Sequence, residues 1–274
     1  MRGLRILALL CALSTCFLSL VACDGFPFFT TTTTTTTTCE GEQDPPDNTN
    51  KPIFEVKPSG ALLAIGDSIT YGTKLSGNVN DTYAKKIADT LGYDYENCAK
   101  AGSEAYQWYS MLTRKSAPNG NKYTEVGSVN REVLTAYVED ADLIVFTLGT
   151  NDLAYTEWRT VKDIKTALLG LIDKMHEINP EATVVLLGSG HIFKYDGKDA
   201  SDILKANTAQ LATELSEALE SENYSSFAHF VDVTDIFSEA SSFEDVDGNP
   251  DYLHPGYSAH AKMAKAVLEH LGVE

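Results

Sequence analysis

Residues 61–70 read Ala-Leu-Leu-Ala-Ile-Gly-Asp-Ser-Ile-Thr. An unbroken apolar run that stops at a glycine and passes into acidic and hydroxyl side chains has the form of a strand buried on both faces, ending in a polar turn. Working outward, similar runs predict further strands at Tyr93–Asn97, Leu143–Leu148, Thr183–Leu187 and Phe230–Val233. Between and after them, Tyr83–Thr90, Val129–Tyr137, Val161–Ile178, Ser201–Leu219 and Ser258–Leu271 carry apolar residues at helical spacing. Strands alternating with helices predict one α/β domain over residues 53–274, with a five-stranded parallel sheet between helical layers.

Upstream of that domain the composition changes. Arg2 and Arg5 precede a mostly apolar run, Ile6–Val21, and this is the pattern of an export signal over residues 1–22. The segment Leu20-Val21-Ala22-Cys23 resembles the bacterial lipobox, which implies cleavage before Cys23 and acylation of that cysteine. A plain secretory signal that happens to end before a cysteine is the alternative. Residues 30–38 are all threonine, and Pro45, Pro46, Asn48 and Asn50 follow. Such a stretch cannot bury enough apolar surface to fold, so residues 23–52 read as a disordered tether. The expected location is the outer side of a bacterial plasma membrane as a surface lipoprotein, or free secretion.

The chain carries 39 acidic against 21 basic side chains, a net charge of −18. This balance repels phosphate backbones and anionic headgroups, so a nucleic-acid partner is excluded and membrane contact is expected only through a lipid on Cys23. Once the signal is removed, Cys23, Cys39 and Cys98 remain, with neither a paired pattern nor metal-ligand spacing. The glycines Gly66 and Gly72 do not have phosphate-loop spacing, and no dinucleotide or zinc-protease motif is present. The chain is read as a monomer with no cofactor and no metal.

In open parallel sheets, ligands bind beyond the carboxyl ends of the strands. There this sequence places Gly66-Asp67-Ser68-Ile69-Thr70, then Asn97-Cys98-Ala99-Lys100-Ala101-Gly102-Ser103, then Gly149-Thr150-Asn151-Asp152, then Gly188-Ser189-Gly190-His191. A serine hydroxyl becomes a nucleophile only beside a base that a third group orients. Asp251-Tyr252-Leu253-His254 offers that pair, with a spacing that lets the carboxylate hold one ring nitrogen while the other faces outward. A loop-ending aspartate and a surface histidine would be the bland alternative.

Together these blocks resemble the SGNH hydrolases, also called GDSL-like esterases and lipases, over Ala61–Leu271, with Gly-Asp-Ser-Ile where that family has Gly-Asp-Ser-Leu. The resemblance implies a flavodoxin-like αβα sandwich, with Ser68 as nucleophile, Asp251 and His254 completing the triad, and Gly102 and Asn151 in the oxyanion hole. Attack on an ester carbonyl needs donors aimed at the developing oxyanion, and the Ser68 amide, the Gly102 amide and the Asn151 side chain supply them. Glycine at 102 would let backbone approach where a Cβ would collide. Asp67 and Asp152 are expected to hydrogen-bond loop backbone rather than move protons. His191 either faces the cleft and touches substrate or is a satisfied turn histidine. His176, His229, His260 and His270 read as structural or solvent-exposed.

Tyr106, Trp108, Tyr109, Tyr155 and Trp158 follow two of the motif loops, where they either stack on sugar rings or pack in the core. A tethered domain suits an acylated small molecule or polysaccharide, so the expected activity is a short-chain acyl or carbohydrate O-acetyl esterase. A lipase or lysophospholipase, and a catalytically silent glycan-binding protein, are the rivals.

Overall fold

β1 (Ala61–Gly66) is an interior strand with both faces dry: Leu63 and Ile65 pack into one helical layer, Leu62 and Ala64 into the other. The computed structural model describes residues 53–75, 79–154, 159–190, 194–195, 198–238, 240–243 and 251–273. The segment read as an export signal, Cys23, the threonine tract, Tyr155, Trp158 and His191 lie outside them.

In chain order the elements are α1 (Ser68–Tyr71), α2 (Tyr83–Leu91), β2 (Asp94–Asn97), α3 (Ala105–Thr113), β3 (Glu125–Val126), β4 (Val129–Asn130), α4 (Arg131–Asp140), β5 (Leu143–Thr147) and α5 (Thr150–Ala154). They continue as α6 (Val161–Ile178), β6 (Thr183–Leu187), β7 (Lys194–Tyr195), β8 (Lys198–Asp199), α7 (Asp202–Leu219), β9 (Ala228–Val231) and α8 (Tyr257–Leu271), with short 3-10 turns between some of them. Five strands form one sheet in the order β2-β1-β5-β6-β9, every neighbour parallel, while β3–β4 and β7–β8 are two-residue hairpins. The expected α/β sandwich is therefore what forms.

The layers follow from side-chain alternation. Leu63, Ile144, Phe146, Val184 and Leu186 meet Trp108 and Met111 of α3, Leu134 of α4, Leu168 of α6 and Leu211 of α7. On the other face, Leu62, Val145, Val185 and Leu187 meet Ile87 of α2 and Met263 and Val267 of α8. Each such aliphatic side chain, fully buried, contributes roughly 1.5–3 kcal/mol. Helix starts carry their caps: Thr82, Asn130, Thr160 and Ser201 each accept a backbone N–H of the first turn.

Two expectations are corrected. β9 spans Ala228–Val231 rather than Phe230–Val233, because Ala228 and His229 pair with Val184 and Val185. After it, Asp232 accepts the Thr234 amide at 2.8 Å and turns the chain into a 3-10 helix. α4 begins at Arg131, since Val129 and Asn130 pair with the facing strand of a hairpin. In addition, the segment Ala105–Thr113 is a helix whose Tyr106 and Trp108 are buried, which decides between the two alternatives for these residues in favour of core packing.

Candidate active site

Because the five strands are parallel, their carboxyl ends, and the motif loops, share one edge of the sheet. At the end of β1, Gly66 takes φ +135, and a Cβ there would lie 2.6 Å from both the Thr147 carbonyl oxygen and the Thr70 hydroxyl. Only glycine fits. Asp67 then caps α1: it is fully buried, accepts the Ile69 amide at 3.0 Å, and accepts the Thr147 hydroxyl at 2.9 Å. Its second oxygen is buried with no hydrogen-bond partner among the described residues. Burial pushes its carboxyl up to about 6, against the pull of those hydrogen bonds and of His254. Ser68 follows, half-buried at the start of α1, its hydroxyl without a hydrogen bond among the described residues.

A buried hydroxyl chain supports this turn. With the Thr147 proton committed to Asp67, Thr70 donates to Thr147 at 2.8 Å, and the Tyr83 phenol donates to Thr70 at 2.9 Å. Burial raises that phenol far above its ordinary range, which keeps it a donor. The Tyr83 amide in turn donates to Nδ1 of His260 at 3.1 Å. Burial first, then the charges of Lys86 and His254, bring the His260 imidazole down to about 3. Thr70, Tyr83, Thr147 and His260 thus tie the Ser68 turn to α8, a role their sequence neighbourhoods did not announce.

The second motif loop is fastened to the same strand end. Gly66's carbonyl accepts the Lys100 amide at 2.9 Å and the Ser103 hydroxyl at 2.8 Å, and Ser103 accepts the Trp108 indole N–H at 2.9 Å. Gly102 lies between these anchors, exposed, at φ +77, with nothing within 4 Å of where a Cβ would be. The left-handed backbone selects glycine here, and the space beside it is open. Asn151, on α5, donates through Nδ2 to the Ser103 carbonyl at 2.9 Å, so the two oxyanion-hole candidates meet in one bonded unit. Asp152 is buried and accepts the Ala105 amide at 2.8 Å and the Tyr106 amide at 3.4 Å, which caps α3. Burial pushes its carboxyl up to about 7. Asp67 and Asp152 both hold backbone, in line with the expectation for them. Outside that expectation, Arg159 pairs with Glu104 at 2.7 Å and lies 5.0 Å over the Tyr106 ring, closing the same corner.

At the other end of the chain, Asp251 and His254 are joined by a 2.6 Å bond between Oδ2 and Nδ1. The other carboxylate oxygen accepts the Leu253 and His254 amides at 3.0 and 2.8 Å. Burial opposes ionisation of Asp251, but these hydrogen bonds and the His254 charge outweigh it and hold the carboxyl well below the usual range. An ionised carboxylate only accepts, so Nδ1 carries the proton and Nε2 is left as the basic nitrogen. Between the pair, Tyr252 adopts φ +58, an uncommon backbone for a bulky residue. Lys194 stabilises that loop, its amide on the Tyr252 carbonyl at 3.3 Å and its ammonium 4.8 Å from the Tyr252 ring.

The field of His254 acts on Asp67, the residue before Ser68, and on His260. Ser68 and His254 share no hydrogen bond in this structure. Among the other histidines, His176 stacks on Phe227 at 3.7 Å and His229 meets His270 edge-on at 5.4 Å. Among the described residues no three His, Cys, Asp or Glu side chains group to hold a metal ion.

Comparison with known proteins points the same way. The GDSL-like Lipase/Acylhydrolase family matches residues 64–262. A lipase from a goat rumen metagenome superposes with a TM-score of 0.58 at 18% identity, covering 77% of this chain and 96% of that one. A putative GDSL-like lipase from Parabacteroides merdae gives 0.54 at 19%, covering 81% and 100%. A family two carbohydrate esterase from Clostridium thermocellum, in complex with cellohexaose, gives 0.54 at 18%, covering 81% and 66%. An uncharacterized protein of Mycoplasma pneumoniae is 26% identical over 216 residues, which span 76% of this chain and only 22% of that relative.

Proposed function

The chain belongs to the GDSL-like lipase/acylhydrolase family, and on that premise we propose that it is an extracellular serine esterase that removes short acyl groups, such as carbohydrate O-acetyl groups. The observation that carries this reading is the Asp251–His254 bond of 2.6 Å, which holds the ring by Nδ1 and leaves Nε2 free of the carboxylate. In the proposed reaction, Nε2 of His254 takes the Ser68 proton as the serine oxygen attacks the ester carbonyl. The oxyanion is received by the amides of Ser68 and Gly102 and by the Asn151 side chain. The intermediate collapses as His254 gives its proton to the leaving alkoxide, and an acyl-serine remains. Water, deprotonated by the same imidazole, then releases the carboxylic acid and restores Ser68.

Surface display through a lipid on Cys23 belongs to the same proposal and rests on the sequence of residues 1–23. Labelling of cells with a tagged fatty acid tests it, a protein that stays unlabelled excluding the anchor. For the chemistry, Ser68→Ala is to be compared with the parent for fluorophosphonate labelling and for release of nitrophenol from acetyl and long-chain esters. Loss of both signals in the variant, with a preference for the acetyl ester in the parent, is the expected result. Full labelling of Ser68→Ala would remove Ser68 from its role, and faster turnover of the long-chain ester would favour the lipase reading.

A further inference from the structure

On the β2 side of the Ser68 turn the surface is hollowed into a cavity of about 700 Å³, within the usual range of small-molecule sites. Its walls are extensions of the site described above. Tyr71 ends α1, the helix that Ser68 begins, and Lys100 stands two residues before Gly102. The β3–β4 hairpin closes one side, leaning on Lys100 so closely that a Cβ at Gly127 would lie 3.1 Å from the lysine side chain. Tyr71 and Val133 are 46% and 39% exposed, two of the few large apolar side chains left open to solvent, and both face this one cavity.

The wall chemistry selects the occupant. Val129, Val133 and Tyr71 give apolar surface, while Glu96, Asn97 and Lys100 give hydrogen-bonding groups of both signs. Asn97 is already held by the Thr70 carbonyl and the Ala99 amide, but an acyl chain would dry the Lys100 ammonium and the Glu96 carboxylate, and desolvating charge is costly. A sugar ring has an apolar face for a tyrosine and hydroxyls for carboxylate and ammonium, and one charge of each sign suits a neutral ring. We propose that this cavity is a glycan subsite that holds a neutral sugar unit next to the ester-bearing one, with Tyr71 as the stacking platform. The proposal rests on the esterase reading above and narrows it to acylated polysaccharide.

The test compares acetate release from acetylated xylo-oligosaccharides with hydrolysis of 4-nitrophenyl acetate, which carries no sugar for the cavity to hold. Tyr71→Ala and Val133→Trp, the second filling the cavity from an exposed position, should each lower the ratio of kcat/KM on oligosaccharide to kcat/KM on nitrophenyl acetate by about tenfold, through KM, with Tyr71→Phe close to the parent. A ratio equal to the parent's in both variants, or a parent that turns over nitrophenyl acetate but no acetylated oligosaccharide, overturns the subsite. A parent inactive on nitrophenyl acetate and unlabelled by fluorophosphonate overturns the esterase reading itself.

Discussion

Replacing Asp251 by asparagine tests the orientation of the base at its most sensitive point. The carboxylate accepts on both sides, the imidazole Nδ1–H on one oxygen and the Leu253 and His254 amides on the other. Asparagine keeps only one accepting face, and the two amides claim it, so Nδ2 is turned toward the ring. A donor facing Nδ1 favours the tautomer with the proton on Nε2, which cannot take a proton from Ser68. The equivalent change in a serine protease lowers turnover about 10⁴-fold, or about 5.5 kcal/mol of barrier. Stability should suffer far less, because the two backbone bonds survive; one lost charge-assisted bond costs about 1.5–3 kcal/mol, a fall in Tm of roughly 3–12 °C in a domain of this size. Steady-state hydrolysis of nitrophenyl acetate and thermal melting by circular dichroism separate the two effects. A folded Asp251→Asn with kcat within tenfold of the parent would refute the tautomer argument.

Ser103→Ala should cost about 2–3 kcal/mol and lower kcat, because it strands the Trp108 indole N–H and loosens the loop that carries Gly102; urea unfolding and initial rates measure the pair. Burial, with the charge of His270 beside it, brings His229 down to about 4. Its folded pKa lies below its unfolded value, so its contribution to stability is complete above about 6.5 and is lost as pH falls through about 4. Asp67 and Asp152, raised in the folded state, act in the opposite sense, so the measurement is a difference: the stability gap between parent and His229→Leu should narrow, or turn in favour of the variant, as urea unfolding is repeated from pH 7.5 to 4.5. Cys98 is buried with its thiol pushed up to about 12, so a maleimide should modify it only at the rate of unfolding; rapid labelling located on the Cys98 peptide by mass spectrometry of the native protein would contradict its burial.

The sheet was readable because β1, β5 and β6 lie between two helical layers and must be apolar at nearly every position. α3 was not, since Ala105–Thr113 carries its burial in aromatic and small polar residues, whose helical period is masked by Gln107 and Ser110. β9 was read two residues late because His229, a polar residue by type, is a buried strand position. At the site, the hydroxyl, imidazole and amide candidates were visible from type and spacing alone. Their supports were not: Thr70 meets Thr147 and Asp67 meets Thr147 across 77 and 80 residues, and a threonine in a strand is ordinary until its partner is known. Ser103 came nearest to being legible, as a hydroxyl directly after the motif glycine.

The basic nitrogen and the serine it is proposed to activate are separated by most of the domain in sequence, yet α8 docks on α2 and places His260 against the Tyr83 amide. A chain that folds from its amino end therefore carries all five strands of the main sheet, and each proposed oxyanion donor, before it can hydrolyse anything. Turnover should appear only when the last helix has emerged and seated itself, which makes the activity a timer for completion of folding.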